Sequence, residues 1–184
     1  MGIALRVDGG IYMMQSEWLA AAPVDPIKAL DFDAVGPNSE AVTQLNSFLR
    51  GEISATETYR MAIDKLIEDE CDPAHVAMLR ESQHEHIRAS NIIRKRIVDL
   101  GGTCEESSGM WGTWARVAQG AAQLFGDGAA LHSLKEGEEH GVRDMRAGLK
   151  NLDAESTDLV EKDLLPGQQQ CLGRVDYLID LISA

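Results

Sequence analysis

Two acidic residues in this chain stand in matching surroundings, each placed so that folding takes it out of water. Along 45–66, LNSFLRGEISATETYRMAIDKL, winding at about 100° per residue puts Leu45, Phe48, Leu49, Thr56, Tyr59, Ile63 and Leu66 on one helix face, with Glu52 in its middle. The segment 131–152, LHSLKEGEEHGVRDMRAGLKNL, repeats the arrangement. With Gly137-Glu138 laid on Gly51-Glu52, Leu131 falls on Leu45, Leu134 on Phe48, Met145 on Tyr59, Leu149 on Ile63 and Leu152 on Leu66. A buried carboxylate needs a hydrogen-bond partner, a proton or a metal ion. Further along each repeat a polar pair shares the core face: Gln83 with His86, and Gln168 with Cys171. Residues three apart lie on one helix face and can converge on one point. His86 follows Glu52 by 34 residues and Cys171 follows Glu138 by 33, so the pairs obey the same repeat. Glu52, His86, Glu138 and Cys171 together are a four-ligand set for one metal ion, and a thiolate favours zinc or iron over magnesium. The competing chemistry is a metal-free polar layer. There, two facing carboxylates share one proton and bond to Gln83, Gln168 and Tyr59.

The elements that must position these groups are helices. No segment shows sustained two-residue alternation with β-branched residues, so no sheet is expected. Helix 1 is expected to start after Pro37-Asn38-Ser39, with Ser39 as N-cap, and to reach about Asp69. Asp72-Pro73 opens helix 2, which Gly101-Gly102 stops after Leu100; its buried face is Val76, Leu79, Ser90, Ile93 and Ile97. Asp127 is the expected cap of helix 3, running from about Ala129 to Leu152. Asp153 caps helix 4, whose core face is Val160, Leu164, Cys171, Val175, Leu178 and Ile182 and which is expected to kink at Pro166. The stretch between Gly102 and Gly128 is long for a turn, and Trp111, Trp114, Ala118, Ala121 and Phe125 suggest a short amphipathic helix inside it, the tryptophans acting as packing anchors. The fold class expected is all-α: two helical hairpins joined by a long crossover containing a short extra helix, making a four-helix bundle. Residues 39–184 form this bundle, and residues 1–38 are a proline-broken arm and linker in which Met13 or Met14 is an alternative start.

Composition excludes several functions. A formal net charge of -13 opposes binding to nucleic acid or to an anionic membrane surface. No apolar run approaches the roughly 20 residues of a spanning helix, and the first residues do not read as a secretion signal, so a cytoplasmic location is expected. Cys71, Cys104 and Cys171 are odd in number and form no CxxC pair, consistent with free thiols in a reducing compartment. Other titratable residues fall on outward faces: Glu81 and His84, which match Glu-x-x-His literally, with Glu57, Glu136, Glu139 and His140. His75 and His132 lie near helix ends.

The chain resembles the ferritin-like superfamily, and more closely a group of small bacterial ferritin-like bundle proteins sometimes linked to stress responses. The residues that carry the resemblance are Gly51-Glu52 with Glu57-Thr58-Tyr59, His86, Leu100-Gly101-Gly102, Trp111-Gly112-Thr113, Lys135 to Gly141 (KEGEEHG), and Leu164-Leu165-Pro166 with Gln168. The likeness spans about Glu40 to Ile182. It implies that Glu52, His86 and Glu138 are metal-site residues, with Cys171 where a histidine is expected. Two carboxylates of a full di-iron site are replaced by Gln83 and Gln168, since such sites take a Glu from two helices and Glu-x-x-His from the other two. In this reading Glu52 and Glu138 are central carboxylates, His86 and Cys171 terminal ligands for one or two iron or zinc ions, and Tyr59, Gln83 and Gln168 hydrogen-bonding supports. A homo-oligomer, a dimer, is the expected assembly, and the alternative role is a non-catalytic structural or interaction module. No substrate or electron partner is legible.

Overall fold

The computed structural model describes residues 38–105 and 127–183. The N-terminal arm and the tryptophan-containing part of the crossover lie outside the described residues. The helices are α1 (Ser39–Glu68), α2 (Pro73–Asp99), α3 (Asp127–Gly148), α4 (Ala154–Leu159) and α5 (Leu165–Ser183). A 3₁₀ turn, Leu149–Asn151, follows α3, and a π-helical turn, Val160–Leu164, joins α4 to α5 in one rod. Among the described residues there is no strand.

The boundaries follow local chemistry, with three departures from expectation, one being that Asp127, the expected cap of the third helix, is already helical in α3. Asp72 caps α2 by accepting from the Ala74 N–H, and Asp153 caps α4 by accepting from the N–H groups of Glu155 and Ser156. Gly101 stops α2 in the left-handed region at φ 76°, which costs glycine nothing. At the start of α1, however, Asn38 holds the N-cap position without a side-chain bond and Ser39 is already helical. Pro166 has no N–H, and its ring would crowd the carbonyl four residues back. The chain meets this with a wider turn, in which the Leu165 N–H bonds to the Val160 carbonyl five residues back. Arg88 on α2 donates to the Asp163 carbonyl at 3.1 Å, tying this turn to the neighbouring helix.

The hairpin of α1 and α2 packs on the hairpin of α3 and the last rod, with α1 against α3 and α2 against α5. Two apolar clusters fill the interior. One joins Leu45, Phe48 and Leu49 of α1 to Ile93 and Ile97 of α2, Val142 and Met145 of α3, and Val160, Leu164 and Leu165. The other joins Tyr59, Ile63 and Leu66 to Val76, Leu79, Leu131, Leu134, Val175 and Leu178. The first cluster takes the start of α1, the end of α2, the end of α3 and the start of the last rod, so every adjacent pair of helices is antiparallel. It follows that α2 ends at one end of the bundle and α3 begins at the other. Each helix contributes its polar residues between the two clusters, so the polar layer sits in the middle of the core. Ile182, expected on the core face, is 41% exposed because α5 runs past the last apolar layer at Leu178.

Candidate metal centre

Each inward polar side chain comes from the middle of a long helix whose flanking turns are locked in apolar packing. Glu52, His86, Glu138, Gln168 and Cys171 are all buried, as their phasing predicts. Of the residues expected to face outward, Glu81, His84, Glu136 and His140 are exposed, while Glu57 and Glu139 are half-buried.

His86 is the hub. Its Nδ1 lies 2.7 Å from Glu52 Oε2 and its Nε2 lies 3.0 Å from Glu138 Oε1. Glu138 Oε1 also accepts from the Tyr59 hydroxyl at 2.5 Å, while its Oε2 accepts from Gln168 Nε2 at 2.6 Å. The Tyr59 and His86 rings meet at a tilt of 35° with centroids 5.2 Å apart. On the other side of the imidazole from Glu52, the ligand atoms of His86, Glu138 and Cys171 all lie within 4.8 Å of one another. The Cys171 thiol faces the Ser82 carbonyl at 3.9 Å, and Arg174 Nη1 approaches its sulfur at 4.0 Å.

Burial alone would lower the His86 pKa, but hydrogen bonds to Cys171, Glu138 and Glu52 and the Glu52 charge overcome it and hold the pKa well above the ordinary value. With both ring nitrogens facing carboxyl oxygens, the arrangement favours the protonated ring. Burial, then the Glu138 charge and hydrogen bond, push the Tyr59 hydroxyl well above its usual value, so it remains a proton donor to Glu138.

The structure corrects the two-fold symmetry that the sequence repeat implies. Glu52 and Glu138 do not face each other; they occupy opposite nitrogens of one ring, and a shared proton between them is replaced by the imidazole. Glu52 is not within the His86–Glu138–Cys171 group, so it takes the place of the carboxylate that orients a ligating histidine through its second nitrogen. Gln83, expected to support the carboxylates, is only half-buried and donates instead to the Thr56 carbonyl at 3.1 Å. Its repeat partner Gln168 does reach Glu138. Gly141 makes this possible, because a Cβ there would lie 2.5 Å from Gln168 Nε2.

Several buried polar residues have no counterpart in the helix-wheel reading. Ser82 is fully buried four residues before His86, a spacing that places it on the same face. Its hydroxyl lies near enough to Tyr59 to lower that pKa slightly, yet it makes no hydrogen bond of good geometry among the described residues. Asn46 donates to the Thr103 carbonyl and accepts from the Glu105 N–H, fixing the exit from α2. Arg96 joins α2 to the cap of α4 through Ser156 at 2.8 Å and Asp153 at 2.6 Å.

The donor set fits a metal ion. Zinc takes nitrogen and oxygen at about 2.0–2.2 Å and thiolate sulfur at about 2.3 Å, so neighbouring ligand atoms of a tetrahedral site lie somewhat over 3 Å apart. The Nε2–Oε1 separation of 3.0 Å is near that geometry already. The fold and site thus define an all-helical bundle with a buried His/Glu/Cys group able to hold a metal. Comparison with protein-family models, curated proteins and solved structures finds no match. Among the described residues, no helix is long and apolar enough to cross a membrane.

Proposed function

We propose that this protein is a ferritin-like bundle that binds one transition-metal ion, zinc or iron, through His86 Nε2, Glu138 and Cys171 Sγ. The observation that carries this reading is the convergence of those three ligand atoms, from α2, α3 and α5, within 4.8 Å in the middle of the core. Glu52 holds the ring so that Nε2 faces the ion, and Tyr59 and Gln168 hold the Glu138 carboxylate. The antiparallel hairpins and mid-core polar layer support the ferritin-like architecture. A two-ion centre has less support, because carboxylates normally bridge such ions and here only Glu138 reaches the group. Bound iron would give the centre redox capacity; bound zinc would make it a Lewis acid or a structural brace. The test is metal content after reconstitution with zinc or iron, for the native chain and for His86→Ala and Cys171→Ser. One ion per chain, lost in both variants, is expected. Substoichiometric metal in the native chain rejects the proposal.

A second reading rests on the Glu52–His86–Glu138 contacts themselves. An imidazolium between two carboxylates satisfies the buried charges without metal, and the bundle would then be a structural or interaction module. In that case Glu138→Gln leaves metal content at zero throughout and changes only the melting temperature.

A further inference from the structure

A cavity of about 120 Å³ lies between α1 and α3, several times the roughly 10–15 Å³ that one water needs. Glu52, His86, Glu138 and Gln168 line its buried end, and exposed Gly51, His140 and Asp144 line its outer end. The helices leave this space because the facing positions are small: Ser54 and Ala55 on α1, Gly137 and Gly141 on α3. A Cβ built on Gly51 meets nothing within 4 Å, so the outer end is open at that residue. Cys171 is absent from the lining, so anything arriving through the cavity meets the carboxylates first and the thiol last. The charge suits a cation, with Asp144 at the mouth, paired to His140 Nε2 at 3.0 Å, and Glu52 and Glu138 at depth. The three carboxylates of the lining outnumber its two imidazoles, and a carboxylate-rich cleft between low-dielectric walls concentrates cations.

We infer that the cleft between α1 and α3 is the entrance through which a hydrated divalent cation reaches the His86–Glu138–Cys171 group, with Gly51 at its mouth. This rests on the metal-binding reading above. The entering ion exchanges water for the Glu138 oxygen and for His86 Nε2, whose proton leaves to water, before it meets the sulfur, which binds as thiolate and gives up its proton in the same way. Glu52, held on Nδ1, adds negative charge along the way without leaving its place.

The test is stopped-flow mixing of the full metal-free chain with cobalt(II), followed by the sulfur-to-cobalt charge-transfer absorbance. Gly51→Phe puts a bulky side chain into the open mouth. Gly51→Leu is a second variant with high helix propensity, and replacing a mid-helix glycine favours folding. Gly173→Phe is the control: Gly173 is exposed on α5, its Cβ position is open, and it does not line the cleft. The expected result is uptake about tenfold slower in both Gly51 variants at full final absorbance, with the Gly173 variant at the native rate. Native rates in both Gly51 variants overturn the route and leave the metal site standing. So does equal slowing in the Gly173 variant, or a lost final absorbance at unchanged rate. No absorbance in any chain overturns the metal reading itself.

Discussion

Glu52→Gln separates the roles that the sequence repeat makes equal and the structure makes different. In the native chain Glu52 Oε2 lies 2.7 Å from His86 Nδ1, while Glu138 stands within the ligand group and accepts from Tyr59 and Gln168. The glutamine keeps an oxygen that accepts the Nδ1–H but removes the negative charge that makes the ring a better ligand. Losing the outer partner of a ligating histidine costs about 10–100-fold in metal affinity. With the hydrogen bond retained, the expected loss is about tenfold, or about 1.4 kcal/mol. Glu52→Ala, which leaves Nδ1 without its acceptor, should approach about 100-fold. Glu138→Gln removes a ligand carboxylate and should exceed both. The assay is competition for zinc against a chromophoric chelator at fixed pH and ionic strength, with the cobalt(II) spectrum as a report on geometry. Glu52→Gln should keep the native spectrum and Glu138→Gln should change it. Equal losses in Glu52→Gln and Glu138→Gln would refute the reasoning by making Glu52 a ligand, and no loss in Glu52→Gln or Glu52→Ala would refute its orienting role.

Gly141→Ala places a Cβ 2.5 Å from Gln168 Nε2 and should push that amide off Glu138, costing about 1–3 kcal/mol in urea unfolding of the metal-free chain. The cost should shrink when Gln168→Ala is already present, and full additivity would count against the steric account. Arg96→Met keeps much of the packing volume but removes the Arg96 hydrogen bonds to Ser156 and Asp153, and should lower stability by about 1–3 kcal/mol without changing metal content. Burial would raise the Asp153 pKa, but hydrogen bonds from Ser156 and the Arg96 charge outweigh it and lower it. Its contribution to stability is therefore full above the unfolded carboxylate value of about 3.9 and is lost as pH falls through the lower folded value. Urea titrations of the native chain and Asp153→Asn should differ at pH 6 and converge at the acid end. Leu79→Ala, in a fully buried position two helical turns before His86, should cost about 2–5 kcal/mol.

The sequence by itself determined the helices and the depth of the polar layer. A period of 3.6 residues assigns each side chain a face whatever the neighbouring helices do, so Glu52, His86, Glu138, Gln168 and Cys171 could be placed inward and Glu81 and His84 outward from one chain. The caps at Asp72 and Asp153 and the stop at Gly101 were legible because each is a local backbone requirement. The wheel is silent about which inward groups meet, because that depends on the crossing of helices far apart in sequence and on the reach of each side chain. The internal repeat suggested a symmetric pair of glutamates. Only packing showed that a single imidazole, with nitrogens on two edges, separates them and leaves Glu138 within the His86–Glu138–Cys171 group and Glu52 outside it. Gln83 and Gln168, equivalent by register, part for the same reason: Gly141 opens a path to Glu138 for one, while the Thr56 carbonyl captures the other. The cleft at Gly51 belongs wholly to the tertiary structure, since small residues on α1 and α3 become a passage only when those two helices face each other.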